Sequence, residues 1–527
     1  MRLNPTACLG FSLGALLGPA AVAAESVPPR HVVLVVWDGM RPDFVTPELT
    51  PNLARLAAEG VFFAHHHPVY LSATEVNGTA LATGAYPARS FVVANTDYRP
   101  AIDPQKAVGI EVPAVIRRGD AVSDGHYLGV ATVAEMLHAH GLPTVIAGSK
   151  QVVLLHDRAP RGAGPGVSPV LYQGETLPPA LQADIDARRG GFPQAGELNE
   201  HRERDDWTTS ALLDVLWKDG PPPFTLLWLA EPDKSQHTTG PGSPQSLAGI
   251  RNSDANLGRL LADLERRGLR DQTDVLVVSD HGFSTVGRKV DVAAELSVAG
   301  FPTGRVALGG LRKGEVLVVS NGGSTLVYVG EHEADLVRRV AACLQIQDWT
   351  GVVFSREKLP GTFPMAEAHL DSPQAPDLVV SLRWSPATSA NGTPGLQTSD
   401  ASSTSTTVGN HASLSAYDMH NTLVAGGPDF RRGVTDTLPS GNVDVAPTIL
   451  WLLGLKDEAA KLDGRVLGEA LTVAAPPLKS YEPKRLTARR ETAGGAWEQY
   501  LQVSEVNGVR YLDEGNGAFH PKAADGK

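Results

Sequence analysis

The chain has 527 residues, 42% hydrophobic and 20% charged, which excludes disorder, a collagen-like repeat and a coiled coil. At this length the expectation is one large α/β domain carrying insertions, or two domains. The formal net charge of −12 argues against a binder of nucleic-acid duplexes, which concentrate Lys and Arg, and favours a small diffusible substrate.

In chain order, residues 1–24 read as a secretory signal. Arg2 is the charged start, Phe11 to Leu17 the apolar stretch, and Val22-Ala23-Ala24 the small-residue cleavage pattern. Cleavage near Glu25 would remove Cys8 and leave Cys343 alone, so no internal disulfide is expected. No later stretch reaches the ~18 to 20 apolar residues that span a bilayer. The segment Val443 to Leu455 is too short and contains Asp444 and Pro447. These features predict a soluble periplasmic or secreted protein; no motif specifies an oligomeric state.

His31 to Trp37 is a nearly continuous apolar run ending in Asp38, the pattern of a parallel strand covered by helices on both faces. Phe224 to Ala230 leads likewise into Glu231-Pro232-Asp233, and Asp274 to Ser279 into Asp280-His281-Gly282. Between them lie helical patterns at 51–59, where Thr50-Pro51 supplies an N-cap and first-turn proline, at 131–140 and at 253–267. This alternation predicts an α/β fold with a mostly parallel central sheet, whose ligands gather beyond the strands' carboxyl ends. There Asp38, Asp233 and Asp280 would share one crevice.

We read 25–295 as the first part of the core and 296–384 as a small α+β insertion, with strand candidates at 315–319, 324–329, 351–354 and 377–382 and a helix at 332–345. Residues 385–407, rich in small polar side chains, read as an exposed loop. The core would resume over 408–475, with a helix at 443–453. A C-terminal extension, 476–527, would carry strands at 498–503 and 508–512.

Three strand-end acids are weak evidence alone, because many such aspartates only cap a helix or close a turn. Their neighbours add weight. Asp233 is followed by His237 four residues on, and Asp280 directly by His281, pairing hard carboxylates with borderline imidazoles in a mixture suited to zinc rather than magnesium or calcium. His65-His66-His67 sits beside Pro68 on a strand or loop where alternate rings face opposite sides, and reads as structural. His420 reads as a packing or supporting residue near His411. Lys150 reads as an exposed structural lysine, and Cys343 as buried and inert.

The ordered set of motifs resembles the alkaline phosphatase superfamily, and within it the type I phosphodiesterase/nucleotide pyrophosphatase branch. It comprises Val35-Val36-Trp37-Asp38-Gly39-Met40-Arg41, Thr50-Pro51-Asn52-Leu53, Ser72-Ala73-Thr74-Glu75-Val76-Asn77, Ala82-Thr83-Gly84-Ala85-Tyr86-Pro87, Glu231-Pro232-Asp233 with His237, Ser279-Asp280-His281-Gly282-Phe283, Gly409-Asn410-His411 and Gly426-Gly427-Pro428.

The resemblance implies two zinc ions (Zn2+), one held by Asp233, His237 and His411, the other by Asp38, Asp280 and His281. Thr74 would face the second ion as nucleophile, and Asn95 would donate to a phosphate oxygen. Glu75 or Asn77 would assist, with Ser72 as a rival hydroxyl. The implied substrate is a small phosphodiester or pyrophosphate of nucleotide type. The alternatives are a phosphomonoesterase with the same metals and a non-catalytic metal-stabilised binding protein. The branch usually shows other residues at Val76, Gly78, Ser90 and Phe91, which places leaving-group preference in question before metal binding. A Lys-x-Arg pair seen in some threonine-using phosphatases is incomplete here, since Val152 follows Lys150 by two, and this favours a diesterase.

Overall fold

A computed structural model describes residues 30–159, 168–194, 200–401, 405–473 and 481–522; the expected signal, 1–24, lies outside them. At its centre is a nine-stranded sheet in the order Val434–Asp436, Val61–Phe63, Leu423–Gly426, Thr273–Val278, His31–Trp37, Phe224–Leu229, Thr144–Gly148, Val170–Tyr172, Glu175–Leu177. His31–Trp37 is parallel to both neighbours, with Val36 opposite Val278 on one side and Trp228 on the other. Only Leu423–Gly426 and Glu175–Leu177 oppose their neighbours, so the sheet is mostly parallel.

The apolar run of the first strand is continuous because both of its faces are buried. Val32, Leu34 and Val36 enter one core, beneath the helices Thr74–Thr83 and Val445–Leu452. Val33, Val35 and Trp37 enter the other, beneath Pro51–Glu59 and Pro244–Arg266. Each side chain of this size removed from water contributes roughly 1.5–3 kcal/mol before entropy is counted, so the two-faced strand anchors the fold. Among the described residues no helix is long and apolar enough to cross a membrane.

The region after the seventh core strand builds a six-stranded sheet from Thr303–Gly304, Val316–Asn321, Ser324–Val329, Leu378–Leu382, Thr350–Ser355 and Phe363–Pro364, with the helix Ala334–Leu344 packed on it. Cys343, on that helix, is half-buried rather than buried, and desolvation raises its thiol pKa. The tract 385–407, expected as an exposed loop, instead carries strands at Trp384–Thr388 and Pro394–Asp400, joined to Ser284–Val290 in a four-stranded sheet. Its small polar residues alternate in a half-buried strand, a pattern that composition alone reads as loop. The helix expected at 253–267 begins earlier, at Pro244, where the Ser243 side chain caps the Ser246 N–H.

Of the last three strands, Gly495–Val506 and Val509–Pro521 are much longer than expected, and Tyr481–Thr492 is one that the sequence reading lacks. They do not stand apart. Trp497 is fully buried against the six-stranded sheet and donates to Gly361 O, while Leu501, Val503 and Tyr511 join the core of the central sheet.

Candidate active site

Three strand ends deliver the acids. Asp38 follows the first strand, Asp280 follows Thr273–Val278, and Asp233 opens the helix Asp233–Thr239 just beyond Phe224–Leu229. The Asp233 N–H donates to Asp38 O at 2.9 Å, tying two of these ends together. One helical turn places His237 over Asp233. Gly409–Asn410 pairs antiparallel with the start of Ser284–Val290, so the chain returns His411 beside His281. Their rings stack at 3.7 Å and 16°.

The acids are 0–1% exposed, and three of their oxygens, Asp38 Oδ1, Asp233 Oδ1 and Asp280 Oδ2, have no hydrogen-bond partner among the described residues. They face imidazole nitrogens. His281 Nε2 lies 3.3 Å from Asp280 Oδ2 and 3.6 Å from Asp38 Oδ1. Asp233 Oδ1 lies 3.1 Å from His237 Nε2 and 3.7 Å from His411 Nε2. In each ring the other nitrogen sits against a carbonyl: His281 Nδ1 on Gly282 O, His237 Nδ1 on Gly409 O and His411 Nδ1 on Ser72 O. A carbonyl only accepts, so in each ring Nδ1 carries a hydrogen and Nε2 faces a carboxylate; in His281 and His411, which burial holds toward the neutral form, Nε2 presents a lone pair to it. Such opposed acceptors are costly when buried, and a divalent cation between them relieves the conflict. The donor set fits zinc.

The electrostatics agree. Burial, then the neighbouring imidazoles, holds His411 well below the ordinary histidine range, and burial lowers His281. Burial and the charge of Asp38 push Asp280 well up. Burial alone would raise Asp233 too, but Lys150, His237 and Lys234 outweigh it and hold that carboxyl well below its usual range.

Donor atoms of Asp38, Asp280 and His281 lie within 4.8 Å of one another, the grouping expected. The second such group is Asp233, His281 and His411; His237 touches Asp233 but is not in it. Thr74 begins the helix Thr74–Thr83, is 3% exposed, and sets Oγ1 3.2 Å from His281 Nε2. Asn95 accepts the Glu75 N–H through Oδ1 at 2.9 Å, placing its amide at the same helix N-terminus.

Other expectations change. Lys150 is not an exposed structural lysine: it is 8% exposed, with Nζ 2.7 Å from Asp38 Oδ2 and 3.4 Å from Asp233 Oδ2. Burial disfavours its charge, yet Asp233, Asp38, Glu111 and Asp280 hold it well above the ordinary amine range. Asn77 does not assist; it pins the turn before the helix, donating to Val69 O, Leu71 O and Ala73 O and accepting from Val69 N. Ser72 is committed to Ser413 O.

Trp228, which sequence reasoning passes over, donates from Nε1 to Asp38 Oδ2 at 2.8 Å. Its signal is a tryptophan inside a strand buried on both faces, where the indole N–H needs a partner. Gly78 has a steric reason: a Cβ there would sit 2.6 Å from Val152 and 3.3 Å from Trp228.

Acids beyond the ends of a helix-covered parallel sheet, crossed with imidazoles and facing one hydroxyl, define the alkaline-phosphatase-like class of α/β fold. Residues 32–414 match the family model for type I phosphodiesterase / nucleotide pyrophosphatase, and the chain belongs to that family. It is 24% identical over 289 residues to human ectonucleotide pyrophosphatase/phosphodiesterase family member 7, covering 54% of this chain and 55% of that protein. It is 22% identical over 448 residues to mouse bis(5'-adenosyl)-triphosphatase enpp4, covering 84% and 81%. The chain thus spans about half the length of the first of these curated relatives. Among solved structures, murine ectonucleotide pyrophosphatase/phosphodiesterase 5, in an inactive form in complex with AMP, aligns with a TM-score of 0.57 at 18% identity, covering 81% of this chain and 95% of that one.

Proposed function

We propose that this protein is an exported hydrolase that cleaves phosphodiester or pyrophosphate bonds in nucleotide-type substrates through a phosphothreonine at Thr74. The observation that carries the reading is the Thr74 hydroxyl, held 3.2 Å from His281 Nε2 beside three carboxylates that each keep one oxygen without a donor among the described residues. Nucleotide substrates are suggested by the names of the relatives and by the AMP bound to the structural neighbour. Export rests on the pattern at 1–24.

Asp38, Asp280 and His281 would hold one zinc ion, and Asp233, His237 and His411 the other. When bound, two such ions supply charge neutralisation at phosphate oxygens and a lowered pKa for hydroxyl and water. Thr74 Oγ gives its proton to solvent and forms a bond to phosphorus as the bond to the leaving-group oxygen breaks, and that oxygen takes a proton from solvent as it departs. Water then attacks the phosphothreonine, releasing the phosphomonoester and restoring the threonine hydroxyl. Through both steps the Asn95 amide and the helix N-terminus steady the nonbridging oxygens.

The test compares initial rates on an aryl phosphodiester and the matching aryl monoester, with zinc content measured on the same preparation. The expected result is a preference for the diester, two zinc ions at these ligands, and a fall in kcat/KM of at least ~10^3-fold in Thr74→Ala. Metal bound without Thr74-dependent hydrolysis would instead identify a binding protein.

A second reading, phosphomonoesterase, gains support from Lys150, since a dianionic monoester profits from an extra cation beside it. A Lys150→Met variant that loses monoester hydrolysis selectively, from an enzyme preferring monoesters, would select that reading.

A further inference from the structure

His67, His420 and Asp513 form a group that shares no member with the active site, with donor atoms within 4.8 Å of one another. His67 lies in the short strand His66–His67, His420 in the loop after His411, and Asp513 on the last strand, Val509–Pro521. The cluster therefore joins the catalytic core to the C-terminal sheet.

Each of its side chains is aimed from behind. His67 Nδ1 sits 3.0 Å from Ser440 O, and His420 Nδ1 3.0 Å from Ala416 O. Both carbonyls are acceptors, so both rings donate from Nδ1, which leaves Nε2 as the nitrogen open to a ligand. Ser504 Oγ donates to Asp513 Oδ2 at 3.0 Å, leaving Oδ1 toward the cluster. Tyr511 stacks on His67 at 5.8 Å and 25°, fixing the ring. His67 is 1% exposed, and its Nε2, 3.0 Å from Asp513 Oδ1, makes no hydrogen bond among the described residues. A buried ring nitrogen this close to a carboxylate oxygen needs a positive charge between them, and the second imidazole beside it makes room for a cation in that place.

We infer that His67, His420 and Asp513 form a further zinc-type cation site, separate from the active-site acids, that fastens the C-terminal sheet to the core. Two imidazoles and one carboxylate are a borderline donor set, and backbone-oriented rings are the arrangement that metal-binding histidines use. With Asp513 17% and His420 partly exposed, the cluster meets solvent on one side, where water can complete a four-coordinate shell.

The test is metal analysis of the full chain after equilibration with Zn2+ and removal of free ion. The expected result is one zinc equivalent fewer in Asp513→Asn and in His420→Ala than in the unaltered protein, with Thr74-dependent hydrolysis retained. Because the readout is a difference of one, it stands whatever number the active site holds. Equal zinc content in all three folded proteins would overturn the inference, leaving a His67–Asp513 ion pair with a proton between Nε2 and Oδ1. Should both variants fail to fold, an anomalous difference map of the unaltered protein at the zinc edge decides. A peak about 2.0–2.2 Å from the three donor atoms supports the site, and an empty map there refutes it.

Discussion

One oxygen, Asp38 Oδ2, receives both the Lys150 ammonium and the Trp228 indole N–H, while its twin points at His281. The two donors set the orientation of the carboxylate. Replacing Trp228 with Phe keeps the bulk and deletes one donor, so Asp38 should hold metal more weakly, by roughly 10- to 100-fold. Competition with a graded chelator measures this, and saturating zinc should restore most of kcat. Edge-on to the Trp228 ring, His156 is 3% exposed, its Nε2 has no hydrogen-bond partner among the described residues, and burial lowers its pKa to about 3. The unfolded chain takes up a proton near the ordinary 6.5 while the folded one does not. Stability is therefore full above about pH 6.5 and falls below it by ~1.4 kcal/mol per pH unit. Urea titrations at about pH 7 and pH 5 should show His156→Phe losing about 2 kcal/mol less than the unaltered chain over that interval.

The acids are legible at this scale because Asp38, Asp233 and Asp280 each close an apolar run, with His237 and His281 shortly behind two of them, whereas His411 follows a polar tract and only the resemblance points to it. Lys150 is not, because a lysine after a strand is normally solvated. Here only the folded sheet brings Asp38 and Asp233 to it from 112 and 83 residues away.

Among the elements, the helix Thr74–Thr83 is buried along its whole length, so the chain cannot mark it by amphipathic alternation. Gly78 allows its close approach to Val152 and Trp228. In an open helix Gly→Ala gains up to ~1 kcal/mol; at 2.6 Å from a buried valine, overpacking by about 1–3 kcal/mol wins. Gly78→Ala should lower the thermal midpoint and, because Thr74 rides on this helix, reduce kcat. A rise in midpoint with unchanged kcat would contradict that account. The pairing of a hydroxyl residue with a first-turn proline, used at Thr50-Pro51, recurs at Ser243-Pro244, where the long helix begins. The apolar period is slack over its first turns, and it is this that displaces the expected start to 253. The polar tract after Trp384 misleads for the converse reason: strands take small hydroxyl residues wherever a neighbouring strand satisfies their backbone.

At the scale of the molecule, the sequence carries the central sheet and the order of its motifs, but not the reach of the C-terminal strands. Their contacts with Gly361, Val353 and Asp444 span 136, 146 and 67 residues. Trp497, Leu501 and Tyr511 are buried in cores shared with earlier segments, so the last sheet is part of the fold rather than an appendage. Ending the chain at residue 475 strips that cover. The expected outcome is a protein that aggregates or melts well below the intact chain, read by light scattering and calorimetry. Unchanged melting and solubility would show the sheet to be dispensable.

The donors that surround Thr74 are drawn from positions 38, 233, 280, 281 and 411, so no stretch of polypeptide that stops short of His411 owns a complete set. A chain halted between His281 and His411 has the group Asp38, Asp280 and His281 but lacks its neighbour, so the paired arrangement exists only once synthesis has passed that point and the sheet has closed. On the proposed reading, an interrupted translation product would be inert rather than weakly hydrolytic, and the cell would be spared a half-built site.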